Sequence, residues 1–233
     1  MTIQQVKEQL YKQATVFETG GFRPKNSENE SWIGKVYLYK PDESIPIEKD
    51  GKPMIPLFQL CLSELEFVPD SLKNTKVITV FISEEIPVES DPITNGERWV
   101  LREYSYNDTL IINNLSNPKS YLKSFPLSSR IVEDDSPMWD SPDISDELSN
   151  EVLRLENEGV IDDYYDIVEN YYQHKIGGYP AFCQPGIKFE EGFKFVLQIC
   201  SDEKANLNVI DGGSMYFAKN ELTSEWLFYC DFY

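Results

Sequence analysis

The sequence predicts an α+β fold, internally duplicated, with mostly antiparallel sheets from two related β units, an N-terminal helix and a central helical segment. The leading observation is a four-part series that occurs twice in the same order. In the first half it reads Ile33-Gly34-Lys35-Val36-Tyr37, then Ile55 to Cys61, Val77 to Ile82, and Trp99 to Arg102. In the second half it reads Ile176-Gly177-Gly178-Tyr179-Pro180, then Phe193 to Cys200, Met215 to Ala218, and Trp226 to Tyr229. Each copy carries a Gln, Gln59 or Gln198, inside an apolar strand two residues before a Cys, and an acid, Glu64 or Asp202, just beyond it. The second observation is that helical spacing is confined to the N-terminus and the middle, while short apolar runs bounded by turn formers fill the rest. A single domain over 1–233 follows, with a first repeat at about 32–112, a linker and helices at 113–173, and a second repeat at about 174–233.

The elements follow in chain order. Ile3, Val6, Leu10, Ala14 and Phe17 lie three or four apart, which predicts a helix from Thr2 to Phe17 ended by Gly20-Gly21. Residues 24–31 are polar and rich in turn formers, as expected of a surface connection. Strands are expected over 33–39, 57–62, 77–82 and 99–104, with Asp50-Gly51 and Asn95-Gly96 as turns. The stretch 113–145, rich in Ser, Pro, Asp and Asn and holding Glu133-Asp134-Asp135, reads as a surface link. Leu148, Val152 and Leu155 predict a helix within 144–160, capped by Ser145 or Asp143 and stopped by Gly159. The acidic first turn of 162–172 suits the dipole of a second helix. Beyond it the β pattern returns, with Glu190-Glu191-Gly192 and Asp211-Gly212-Gly213 as turns and an aromatic final strand from Trp226.

Composition excludes several classes. A 233-residue chain that is 41% hydrophobic and 13% aromatic has ample material for a core. No apolar run reaches the length of a membrane-spanning helix, and residues 1–8 lack the order of a secretory signal, so the expected compartment is the cytoplasm. A net charge of −19 and a pI of about 4.4 argue against nucleic acid and anionic membranes, and fit either plain solubility or a basic protein partner. The four cysteines are widely spaced and three lie in or beside apolar runs, so they read as reduced core thiols; no metal site and no cofactor is expected.

No nucleophile elbow, phosphate loop, zinc-binding helix or dinucleotide fingerprint is present. His174 is the one histidine; a contact at a helix C-terminus is the plainer reading, and a general base would lack an evident nucleophile. Gln59 and Gln198 could be paired amides lining a cleft between the two copies, or surface or network glutamines kept by duplication. Asp202, with Glu64 and Glu203, could supply carboxylates to such a cleft or simply occupy turns. Gly177 and Gly178 could bring backbone near a ligand, although turn geometry accounts for them as well.

The ordered set His174-Lys175-Ile176-Gly177-Gly178-Tyr179-Pro180, Leu197-Gln198-Ile199-Cys200-Ser201-Asp202 and Gly212-Gly213-Ser214-Met215-Tyr216-Phe217 resembles the YwqG-like family. The first half matches more loosely, through Ile33-Gly34, Phe58 to Leu65 and Val80-Phe81-Ile82. The resemblance implies a bacterial protein of unknown function built as one compact, duplicated α+β unit. Its members' occurrence near secreted toxin loci implies an immunity or toxin-associated role. It carries over no catalytic residues. Lys35 stands where the first copy should have its second glycine, and Tyr37 where a proline is expected.

These readings predict a non-enzymatic, cytoplasmic interaction protein, of immunity type, that binds a basic protein partner. The rival is a small-ligand-binding or enzymatic module with a cleft between the repeats near Gln59, Gln198 and Asp202.

Overall fold

The protein is described by a computed structural model covering residues 1–25, 27–89 and 91–233, so Asn26, within the expected 24–31 connection, lies outside the described residues. The strands are β1 (Lys12–Thr19), β2 (Trp32–Ile33), β3 (Leu38–Tyr39), β4 (Ile55–Cys61), β5 (Thr75–Ile82), β6 (Ile93–Thr94), β7 (Trp99–Ser105), β8 (Ile111–Ile112), β9 (Phe125–Asp135), β10 (His174–Gly177), β11 (Phe193–Cys200), β12 (Ser214–Asn220) and β13 (Trp226–Asp231). Two α-helices accompany them, α1 (Ile3–Leu10) and α2 (Asp146–Asn157).

Eleven strands form one antiparallel sheet in the order β6-β13-β12-β11-β10-β1-β9-β2-β4-β5-β7, and β3 pairs with β8 alone. This overturns the expected class. With 34% strand against 13% helix, the protein is mostly β, and the two expected β units are wings of a single curled sheet. From β1 and β9 at the centre, β10 to β13 run outward on one side and β2, β4, β5 and β7 on the other.

Bulges explain the curl. The register shifts between Pro56 and Phe58 and again between Phe195 and Leu197, so the extra residue, Leu57 or Val196, stands two positions ahead of the strand's glutamine. An extra residue bends a strand and increases its twist. It also resets the alternation of faces, so Leu57 and Phe58, and likewise Val196 and Leu197, all join the main core while Gln59 and Gln198 face the other way. The curl brings the two wings together: Trp99 of β7 packs on Phe217 of β12 and Phe228 of β13, with ring centroids 5.4 and 5.6 Å apart. Beside them Lys219 Nζ donates to Glu103 Oε1 across 2.8 Å.

Four local expectations also change, the first being the single strand over 33–39, which breaks after Ile33 at Gly34, with φ +71°, into β2 and β3 in different sheets. The N-terminal helix stops at Leu10, and residues 12–19 form β1, paired with β9 and β10. Thr15, Val16 and Thr19 are β-branched, and pairing on both edges outweighs a helical spacing that Ala14 and Phe17 only mimic. Within the expected surface link, residues 125–135 form the longest strand, β9, at the centre of the sheet. The second helix of 162–172 is a single tight turn, Tyr164–Asp166, in which Asp163 accepts from Tyr165 N–H and Asp166 reaches back to the N–H groups of Asp162 and Asp163. Helix α2 forms as its spacing predicts, with Ser145 accepting from Leu148 N–H, and packs with α1 around Val6, Leu10, Val152 and Leu155.

Candidate functional site

Gln59 and Gln198 are fully buried, and their amides serve the backbone. Gln59 Oε1 accepts from the N–H groups of Tyr37 and Leu38 at 3.0 Å each, and Nε2 donates to Glu30 O at 3.1 Å. Gln198 Oε1 accepts from Ala181 N–H at 2.9 Å, and Nε2 donates to Gln173 O at 3.1 Å. Each amide therefore clamps the chain entering and leaving the neighbouring short strand, β2 for Gln59 and β10 for Gln198. Neither residue lines the two clefts described next.

Gly177 and Gly178 lie on a cleft of about 740 Å³ whose walls include Lys12, Phe67, Tyr179 and Lys194. Behind it lies an ion pair with no exposure at either partner: Lys175 Nζ donates to Asp135 Oδ1 and Oδ2 at 3.0 and 2.8 Å. Asp135 Oδ2 also accepts from Tyr179 N–H at 2.8 Å. Burial pushes the Asp135 carboxyl pKa up and the Lys175 ammonium pKa down, and each partner's charge opposes the other's neutralisation. A Cβ on Gly178, at φ +65°, would stand 1.9 Å from Asp135 Oδ2, so the second glycine is needed where this carboxylate approaches the chain.

His174 and Asp202 line a second cleft, also about 740 Å³, together with Glu18, Tyr171, Tyr172 and Cys200. His174 opens β10 and its ring lies against Phe58 at 5.3 Å between centroids. Nε2 stands 3.3 Å from Asp202 Oδ2. Nδ1 faces Cys200 twice: it accepts the backbone N–H at 3.1 Å and stands 3.4 Å from Sγ. Antiparallel pairing of β10 with β11, in which Lys175 faces Gln198, brings Cys200 to this end of His174. The loop after β11 returns Asp202 to the other side of the ring, where Oδ1 accepts from Ala205 N–H at 2.8 Å.

The electrostatics follow from these contacts. Burial works to lower the His174 pKa, but the Cys200 sulfur and the Asp202 carboxylate outweigh it and raise it to about 9. Burial likewise works to raise the Asp202 pKa, yet the hydrogen bonds from His174 and the Ala205 N–H hold it well below the usual carboxylate range. In the neutral ring Nδ1 is the acceptor and Nε2 carries the hydrogen directed at Asp202. Nδ1 therefore stands where it can receive the thiol's hydrogen, 3.4 Å from Sγ. Sulfur, imidazole and carboxylate in this order can move a proton off the thiol and hold the resulting cation.

The sequence-named residues thus divide among three places: Gln59 and Gln198 in the sheet, Gly177 and Gly178 at the first cleft, His174 and Asp202 at the second. The sequence marks Cys200 only as a core thiol, and nothing in it pairs Lys175 with Asp135. The signal for Cys200 was the lone histidine, but linking them requires the register of β10 on β11. Among the described residues no group of three or more His, Cys, Asp or Glu is arranged to hold a metal ion, and no helix is long and apolar enough to cross a membrane.

A search among curated proteins finds no match to the chain. The model of a family described as "Domain of unknown function (DUF1963)" matches residues 32–224, which include β2 to β12, both buried glutamines and the His174, Cys200 and Asp202 cluster. The chain therefore belongs to the DUF1963 family.

Proposed function

We propose that this chain is an acidic, cytoplasmic interaction protein that binds a basic protein partner, with the His174–Asp202 cleft as the docking point. The observation that carries the reading is the cleft's lining: Glu18, Glu169, Asp202 and Glu203 contribute four carboxylates, and Lys204 turns its Nζ onto Thr19 O at 2.8 Å. A lysine or arginine of the partner would lay its stem on Tyr171 and Tyr172 and its charge among these acids. The net charge of −19 would steer such a partner inward. An immunity role, of the kind implied by the resemblance to the YwqG-like family, is the finer form of this proposal.

Capture from a lysate of the source organism, at low and at moderate salt, tests it. The expected result is a basic protein that binds the Glu169→Gln/Glu203→Gln double variant about tenfold more weakly than the wild type, with affinity falling as salt rises. Recovery of no protein at either salt, or equal binding by the double variant, contradicts the proposal.

A ligand-binding or enzymatic module is the second reading. The contact of Cys200 with His174 favours it, and it lies in this cleft, away from Gln59 and Gln198.

A further inference from the structure

Four cysteines are present, and their surroundings differ sharply. Burial pushes the thiols of Cys61 and Cys230 up to about 12, and burial with Asp231 beside it takes Cys183 to about 11. Such thiols are poor nucleophiles near neutral pH, because the thiolate is the reacting form. Cys200 is partly exposed, lines the acidic cleft, and has an imidazole nitrogen 3.4 Å from its sulfur. The imidazole is held from behind by Asp202, whose Oδ2 stands 3.3 Å from Nε2, so Nδ1 is turned to the sulfur.

We propose that Cys200 is a nucleophilic modification site, activated by His174 and positioned by Asp202, that undergoes exchange with small disulfides carrying positive charge. The thiol proton passes to His174 Nδ1, and the thiolate attacks one sulfur of a disulfide RS–SR. A bond forms between Cys200 Sγ and that sulfur, and the original S–S bond breaks. The departing RS⁻ takes the proton from Nδ1 and leaves as RSH. Cys200 is oxidised to a mixed disulfide, half of the reagent is reduced to thiol, and a small thiol in excess reverses the step. The charge preference follows from the lining of the cleft that Cys200 shares: Glu169 and Glu203 are exposed there, with Glu18, which Arg130 approaches at 3.8 Å, and Lys204, whose Nζ donates to Thr19 O, so the net field attracts an ammonium-bearing reagent and repels a carboxylate-bearing one.

The test uses the purified full chain, reduced and then treated near neutral pH with cystamine or with 3,3′-dithiodipropionate. Each cysteine is followed by peptide mass mapping, and each reagent is normalised to its rate with a small free thiol. The expected result is that Cys200 reacts first, at least about tenfold faster than Cys183, and that cystamine is favoured at Cys200 by about tenfold at low salt. In His174→Gln the Cys200 rate should fall by at least about tenfold while Cys183 is unchanged. Asp202→Asn, which keeps an acceptor for Nε2, should give a smaller loss. Equal rates at Cys200 and Cys183 in the wild type overturn the proposal, a comparison that stands even if the His174 variant does not fold. An unchanged or faster Cys200 rate in a folded His174→Gln protein also overturns it. No partner is present in this experiment, so its outcome is separate from that of the docking proposal.

Discussion

Replacing Lys175 by Met is expected to cost about 3–5 kcal/mol of stability, measured by urea unfolding. The reason is what the substitution leaves behind. Asp135 has no exposure, and two of its close hydrogen bonds come from the ammonium that would be lost. The carboxylate would keep the Tyr179 N–H at 2.8 Å and a long contact from Tyr171 N–H at 3.4 Å. That is too little to hold a charge away from water, so Asp135 would have to take up a proton or the chain would open around it. Adding Asp135→Asn to Lys175→Met should recover much of the loss, because the amide removes the charge and can still accept from Tyr179 N–H. A single Lys175→Met variant within about 1 kcal/mol of wild type would show that the pair is not sealed from solvent.

Replacing either buried glutamine by Leu, which keeps the bulk and removes the amide, should cost about 3 kcal/mol. At Gln198 the orphaned groups are Ala181 N–H and Gln173 O; at Gln59 they are Tyr37 N–H and Leu38 N–H, while Glu30 O retains the Tyr37 hydroxyl at 3.1 Å. The two variants should differ in where they loosen the protein. Gln198→Leu frees both flanks of β10, the strand that carries His174, so amide exchange should rise at 173–181 before it rises elsewhere. Gln59→Leu frees the flanks of β2 and should leave β10 protected. If exchange rises alike in both regions for both variants, the local clamp is not what these amides provide.

Those glutamines also mark how far the sequence could be read. Their matching places in two apolar strands were visible, as were the strands themselves and α2 with its Ser145 cap. Their partners were not visible, because the backbone groups they bind flank other strands and become neighbours only through pairing. β9 is hidden for a related reason. Ser128-Ser129 and the acids at its end interrupt the apolar alternation, and its long central position depends on β1 and β2 lying to either side. β1 is hidden in the sequence because Ala14 and Phe17 continue the spacing of α1, while Tyr11 already has extended backbone, with ψ at +133°. The candidate site was half legible. His174 and Asp202 were named, and the missing member, Cys200, lies two residues before Asp202 on a strand paired with the one that holds His174.

The lone histidine makes the central claim directly measurable, since one imidazole gives one set of ring signals. Its titration, followed by proton NMR across neutral and alkaline pH, should have a midpoint near 9 in the wild type, with lower midpoints in Cys200→Ser and Asp202→Asn. A midpoint at the ordinary value of about 6.5 that neither substitution moves, or a ring that does not titrate, would contradict the coupling of Cys200, His174 and Asp202 on which the site rests.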